Sequence, residues 1–455
     1  MLRGKSLYSE EYPLLNFDEL EQGFSEEEAL EEARRCLKCK NPACVKGCPI
    51  ENRIPDIIRA IEAKDYQRAI DIINENSNLA IICARVCPHN EQCEGACVLG
   101  RKGQGIRISK LERFLAEKEM ELALNRLRGK VAVIGSGPAG LSVAAILSKQ
   151  NYRVTIFEAQ QKAGGVLRLG IPEYRLPNEV VDKQIEIVRN LGARLETGVT
   201  IGEDLTLDQL FAMGYQAVFI GTGTGLARKL GVEGESLPGA MQAIYFLETL
   251  SLIRDGSLPN SPYPVQPGDS VLVVGAGNVA VDAARSALRL GAQQVEVVDI
   301  VPEKERRASD KEYEEALHEG INFHFERSVV RILGKDRVEG VVLQNFARQL
   351  SGRESVILPV PGTEQERPCD KVIIAIGQKP FARIVSTTTG IKTSTQGYVL
   401  TETQPYYGMT TREGVFAAGD VVHEPQTVIL AMREARRVAE AIDVWLQRGK
   451  EAQQG

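Results

Sequence analysis

Eight of the nine cysteines lie between Cys36 and Cys97. Such a density of thiols serves disulfides, thiolate catalysis or metal binding. The spacing forms two groups. The first is Cys36-x2-Cys39-x4-Cys44-x3-Cys48-Pro49; the second is Cys83-x3-Cys87-Pro88-x4-Cys93-x3-Cys97. The N-terminus lacks an apolar signal core and is acidic, so the chain is expected in the cytoplasm, where disulfides are rare and metal is the better use.

Thiolates suit iron–sulfur clusters and zinc alike. The Cys-Pro steps, and the nucleotide motifs below, favour iron–sulfur. Counted group by group, the cysteines give four ligands to each of two [4Fe-4S] clusters. Ferredoxin-type runs argue against so simple a division, because the last cysteine often serves the other cluster. His89, beside Cys87-Pro88, reads as a hydrogen-bonding neighbour. His318, His324 and His423 show no constellation, and Cys369 reads as a loop thiol.

The second chemistry is carried by glycines. Gly135-x-Gly137-x-x-Gly140 follows an apolar strand and opens a helix, with Glu158 23 residues after Gly135. The first glycine allows the tight turn, and the second lets backbone approach a pyrophosphate. The third brings the helix close to the strand, and the acid accepts from ribose hydroxyls. Gly275-x-Gly277-Asn278-x-Ala280, with Asp299 24 residues after Gly275, repeats the pattern. Two such sites in one chain point to a flavin and a nicotinamide nucleotide. A further strand ends at Gly419-Asp420, where Pro425, Thr427 and Val428 open a helix, so a carboxylate and a helix N-terminus meet one ligand.

These residues need particular elements around them. Ser25 and Glu28 form a capping box ahead of a helix running to Cys36. Isoleucines and alanines at helical spacing predict one or two helices over 54–76, and another helix is expected over 109–126. At 130 the pattern changes to strand–turn–helix–strand, which returns at 270–300 after a connection with four prolines between 259 and 267. The last residues, 450–455, read as a frayed tail. The fold class is therefore α/β, an N-terminal all-α iron–sulfur module followed by two Rossmann-like dinucleotide-binding domains. The expected division is 1–126 helical with two clusters, 127–252 and 381–455 flavin-binding, and 253–380 nicotinamide-binding. The 455 residues suit several domains. A net charge of −6 argues against nucleic-acid binding. No 18-residue apolar run calls for a membrane helix.

With both cysteine groups, IGSGPAG, GGVLRLGIPEYRLP (164–177), VGAGNVAVDAAR (274–285) and AAGD (417–420), the chain resembles the two-domain flavoprotein reductases. More closely, it resembles the small (beta) subunit of glutamate synthase. It is also similar to the N-terminal part of dihydropyrimidine dehydrogenase and to the large subunit of ferredoxin:NADP transhydrogenase. The resemblance spans nearly the whole chain. It implies FAD at the first glycine turn and NAD(P)H at the second. Gly165, Leu167 and Gly170 would lie along the flavin, Asp420 at its ribityl chain, and Thr427–Val428 at its pyrimidine end. It further implies one cluster on Cys36, Cys39, Cys44 and Cys97, and another on Cys48, Cys87, Cys93 and Glu112, with Cys83 a bystander. For Glu112, the bland alternative is a solvated helix face beside Arg113.

One departure concerns the coenzyme. The family follows its second strand with an aromatic and two arginines that bind the 2′-phosphate of NADPH. Here the residues are Asp299-Ile300-Val301, and an acid there favours a free 2′-hydroxyl. NADH is the expected donor, although Arg306 and Arg307 stand nearby. No redox dithiol follows either fingerprint, so a thioredoxin-reductase mechanism is excluded and no general base or nucleophile is assigned. The expected function is the electron-input subunit of glutamate synthase, passing single electrons to a separate large FMN/glutaminase subunit. The alternatives are the reductase subunit of another complex or a flavin-bearing assembly subunit.

Overall fold

The computed structural model describes residues 19, 21–101, 103–118, 129–351, 354–380 and 387–454. The capping box forms as its pattern predicts. Glu28 N donates to Ser25 Oγ at 3.3 Å and Ser25 N to Glu28 Oε2 at 2.7 Å. The helix Glu26–Arg35 follows, and Cys36 is its C-cap. The isoleucine-rich stretch resolves into two helices, Ile54–Glu62 and Tyr66–Asn74, the second capped by Asp65. Short helices Ala43–Gly47 and Ala80–Val86 place Cys48 and Cys87 at their C-caps. The helix Ile108–Lys118 buries Leu111, Glu112 and Leu115. Its expected continuation to 126 lies outside the described residues.

The strand–turn–helix–strand units build two parallel sheets. In the first, the order is Val415–Ala417, Ala217–Ile220, Lys130–Ile134, Arg153–Glu158 and Arg194–Thr197. The chain leaves this sheet at Ile220 and re-enters it at Val415. The second sheet runs Ala240–Gln242, Lys371–Ile374, Ser270–Val274, Gln294–Asp299 and Asn322–Phe325. Ala240–Gln242 belongs to it although the sequence places the start of that domain at 253. The two chain crossings between the sheets pair with each other, Gln378 opposite Ala227 and Lys379 opposite Leu226. Strands buried on both faces explain the continuous apolar runs VAVI and VLVV.

Two features depart from the sequence reading. Residues 327–368 form an antiparallel insertion of Arg327–Leu333, Gly340–Ser351, Glu354–Pro359 and Gln365–Pro368. Alternation without a glycine fingerprint left it unread. The expected frayed tail is instead the end of a helix, Val428–Gln454. That helix packs on the first fingerprint helix, Pro138–Lys149. One continuous core joins Ile73, Ile82 and Leu111 of the helical module to Val143, Leu147 and Met432. The helical module, expected from its sequence to be thin in apolar content, buries Ile54, Ile58, Ile61 and Ile82 of its own and shares that core with the flavin-side helices.

Candidate functional site

At the first glycine turn, Gly135 has φ +94° and its N donates to Phe157 O at 2.8 Å. A Cβ on Gly135 would sit 2.6 Å from Gly221 O, and one on Gly140 only 1.9 Å from Gly135 O. Both positions therefore require glycine. Around Gly137, by contrast, a built Cβ meets nothing within 4 Å. That open space lies at the N-terminus of Pro138–Lys149, where unpaired N–H groups face outward. Glu158 turns its carboxylate to the same turn, accepting from Ser136 N at 2.9 Å, Ser136 Oγ at 2.5 Å and Gln160 N at 2.9 Å. Gly164 N in turn donates to Ser136 Oγ at 2.8 Å.

The segment 164–170 closes against this turn. A Cβ on Gly165 would lie 2.9 Å from Gly137 Cα, Leu167 is fully buried, and Gly170 caps the short helix Val166–Leu169. On the other side, Gly419, at φ +76°, stands against Ala139, 3.3 Å from a built Cβ to the alanine Cβ. Asp420 accepts from Gln426 N at 3.2 Å, and burial raises its carboxyl. Thr427 Oγ1, ahead of the helix starting at Val428, is buried without a hydrogen-bond partner. An orphaned hydroxyl, an open glycine turn and a free helix start, all on one cradle, fit an extended phosphate-bearing cofactor.

One member of this cradle escaped the sequence reading. His423 Nε2 lies 2.8 Å from both oxygens of Glu434, and Glu434 Oε2 accepts from Gly419 N at 3.1 Å. The hydrogen bond to Glu434 raises the His423 imidazole to about 9. The pairing spans a loop and a helix turn, which no local pattern reveals.

The second turn repeats the first. Gly275, at φ +108°, would place a Cβ 2.6 Å from Ala375 O, and Gly277 caps Asn278–Arg289. Asp299 Oδ2 accepts from Ala276 N at 2.6 Å and Oδ1 from Val301 N at 3.2 Å. Ala280 is fully buried where the helix meets the strand. Asn278 Oδ1 accepts from Ser309 N at 3.0 Å, and Ala308 N donates to Ala276 O at 3.1 Å. The helix Asp310–His318 begins there. Its Lys311 pairs with Glu21 of the helical module, while Glu312 accepts from Arg175 Nη2 at 2.5 Å. Four of the five residues 308–312 thus tie the second turn to both other parts of the molecule. Of the two nearby arginines, Arg306 pairs with Asp310 and lies 4.2 Å over the Tyr313 ring, whereas Arg307 is exposed.

The cysteines divide into an outer and an inner set. Cys36, Cys39, Cys44 and Cys97 wall one open cavity of about 390 Å³, otherwise lined by apolar side chains including Ile54, Ile58 and Ile106. Burial pushes Cys44 up to about 11 and raises Cys36. Among the described residues, no three Cys, His, Asp or Glu side chains converge as on a single ion. Thiols ringing a cavity fit a polynuclear cluster, whose positive charge would offset the cost of buried thiolates. Inside lie Cys48, Cys83, Cys87, Cys93 and Glu112, close enough to repel one another electrostatically. Glu112 is only 7% exposed, which removes the solvated-face alternative. It accepts from Asn52 Nδ2 at 3.3 Å and has no ion pair among the described residues. Burial raises its carboxyl to about 7. Such a carboxylate lacks the cation that buried charge requires. Cys83 Sγ instead lies 3.1 Å from Met432 Sδ on the C-terminal helix.

The remaining residues are bland. Burial and Lys311 push His89 down to about 4. Cys369 is buried in the core of the second sheet rather than in an open loop. No described helix is long and apolar enough to cross a membrane.

Comparison with known proteins agrees with this anatomy. Residues 14–124 match the family described as "Dihydroprymidine dehydrogenase domain II, 4Fe-4S cluster", and residues 129–435 match "Pyridine nucleotide-disulphide oxidoreductase". The glutamate synthase [NADPH] small chain of Halomonas elongata is 32% identical over 438 residues, covering 94% of this chain and 92% of that one. The NAD-dependent dihydropyrimidine dehydrogenase subunit PreT of Escherichia coli O157:H7 is 32% identical over 441 residues, covering 94% and 97%. A solved structure of Mycobacterium tuberculosis FprA in complex with NADPH shares the fold, with a TM-score of 0.60 at 20% identity over 72% of this chain and 86% of that one. With two glycine turns on paired parallel sheets and a thiol-rich helical module packed against the first, the chain belongs to the family of glutamate synthase small-subunit-like FAD/iron–sulfur pyridine nucleotide oxidoreductases.

Proposed function

We propose that this chain is the cytoplasmic electron-input subunit of a glutamate synthase. It oxidises NAD(P)H and passes electrons singly to a separate large FMN/glutaminase subunit, which forms glutamate from 2-oxoglutarate and glutamine. One observation carries the reading. The inner thiols meet the flavin-side helix at Cys83 and Met432, 3.1 Å apart, so the first glycine cradle and the thiol module form one packed unit.

When bound, the flavin accepts two electrons as a hydride and gives them up singly, which suits clusters that carry one each. The chain's own residues bind and orient. Gly135, Gly137 and Gly140 offer backbone N–H groups to FAD phosphates, and Glu158 its ribose. Gly165, Leu167 and Gly170 line the flavin, while Gly419, Asp420, Thr427 and Val428 hold its far wall. Gly275, Gly277, Asn278, Ala280 and Asp299 do the same for the coenzyme. Asp299 favours NADH by repelling a 2′-phosphate. Cys36, Cys39, Cys44 and Cys97 hold one [4Fe-4S] cluster; Cys48, Cys87, Cys93 and Glu112 hold the other. The helical domain ends near 126, and the flavin domain comprises 127–252 and 381–455 around a nicotinamide domain.

A second reading, the reductase subunit of a pyrimidine dehydrogenase, draws on the similarity to PreT across 97% of that chain. The test is anaerobic purification with iron, sulfide and flavin counting, followed by NADH oxidation with an artificial dye. Roughly eight irons per FAD are expected from two four-iron clusters. About two zincs without sulfide would remove the reading. Glutamine-dependent glutamate formation on adding the large subunit separates the two partners.

A further inference from the structure

The face outside the outer thiols differs in charge from the rest of the chain. Residues 33–50 contain five Arg or Lys and no Asp or Glu, and residues 95–111 contain four and none, in a chain of net charge −6. These two stretches carry most of the cavity wall, including Cys36, Leu37, Cys39 and Cys44 from one and Cys97 and Leu99 from the other. Arg35 is engaged with buried Glu32, Arg107 lies 3.8 Å from it, and Lys38 pairs with Glu62. Arg34, Lys40, Lys46 and Arg101 are exposed and have no ion pair among the described residues. Between two of the cysteines, Leu37 leaves 61% of its surface in solvent. A single exposed leucine carries no weight. With the exposed cations Arg34 and Lys40 three residues to either side of it in sequence, it supplies the apolar centre of a basic recognition patch.

The depth of the thiols gives the patch a direction. Cys48, Cys83 and Cys93 of the inner set are buried, whereas Cys87 and all of the outer set, Cys36, Cys39, Cys44 and Cys97, are half-buried. The inner set touches the flavin-side helix through Cys83, so the outer set is the end nearest solvent. We infer that the basic face centred on Leu37 docks the acidic surface of a one-electron carrier protein. This rests on the electron-input half of the proposed function and goes beyond it, giving the outer thiols a diffusible acceptor besides the large subunit. NAD(P)H gives up two electrons and a proton; each carrier leaves with one electron, so two carriers are reduced per coenzyme oxidised.

The test uses the holoprotein with two one-electron acceptors of opposite charge, acidic plastocyanin and basic cytochrome c. Plastocyanin should be reduced faster at low salt, its rate falling as salt rises. Arg34→Glu/Lys46→Glu should slow it by about tenfold at low ionic strength, leave dye reduction unchanged, and abolish retention of oxidised plastocyanin on the immobilised protein. Salt-independent rates in the unaltered protein, or a preference for cytochrome c, would overturn the docking face even if the variant misfolds. Loss of dye reduction in the unaltered protein would instead overturn the electron-input reading.

Discussion

Arg175 Nη1 donates to both carboxylate oxygens of Asp282 at 2.7 Å, fastening the segment beside the first glycine turn to the helix that opens the second. Its other terminal nitrogen reaches Glu312. All three side chains are largely buried. Burial raises both the Asp282 and Glu312 carboxyls, so each depends on the guanidinium for compensation. Removing one partner of a buried pair costs about 3–5 kcal/mol. Arg175→Ala should therefore lower unfolding stability in urea by that order, and a loss below about 1 kcal/mol, the range of a surface pair, would show the junction to be slack.

On the proposed function, Asp299 sets the coenzyme choice. kcat/KM for NADH should exceed that for NADPH by about tenfold, equivalent to 1.4 kcal/mol. Asp299→Ser should narrow the ratio by relieving repulsion of a 2′-phosphate. A wild-type preference for NADPH, with exposed Arg307 taking the phosphate, would reverse this assignment.

The two buried candidates for the eighth cluster ligand, Glu112 and Cys83, give opposite expectations. Glu112→Ala and Cys87→Ala should each lose roughly four of about eight irons, whereas Cys83→Ala should keep them all. Iron and sulfide counting on anaerobic protein decides between Glu112 and Cys83 as the eighth ligand.

His423 gives the molecule a pH signature. Glu434 raises its imidazole from 6.5 to about 9 on folding. A group raised in this way stabilises the folded state fully below its unfolded pKa, and that contribution is lost as pH rises through the folded value. Urea unfolding at fixed flavin saturation should therefore show stability falling between about pH 6.5 and 9. Glu434→Gln should flatten that slope, and an unchanged slope would locate it elsewhere.

Much of the site could be read from the chain because its chemistry is local. Gly135 and Gly275 must turn where a Cβ would strike a carbonyl, and Ser25 and Glu28 cap their own helix. What escaped depends on distant packing. Glu112 is reached only through the family resemblance: its burial comes from a helix facing the cysteine loops, and nothing in its neighbours Leu111 and Arg113 announces that. His423 meets Glu434 only after the C-terminal helix docks. Ala240–Gln242 joins the second sheet through a register with Val372–Ile374, not through any motif. The insertion at 327–368 alternates as strands do but carries no chemistry to draw attention.

Because the first sheet is interrupted between Ile220 and Val415, the two walls of its cradle emerge from the ribosome far apart in time. At about 5–20 residues per second, Gly135 waits roughly tens of seconds for Asp420 and Thr427. Flavin retention therefore begins only after Thr427 has been made, and a chain released before that point carries half a binding site.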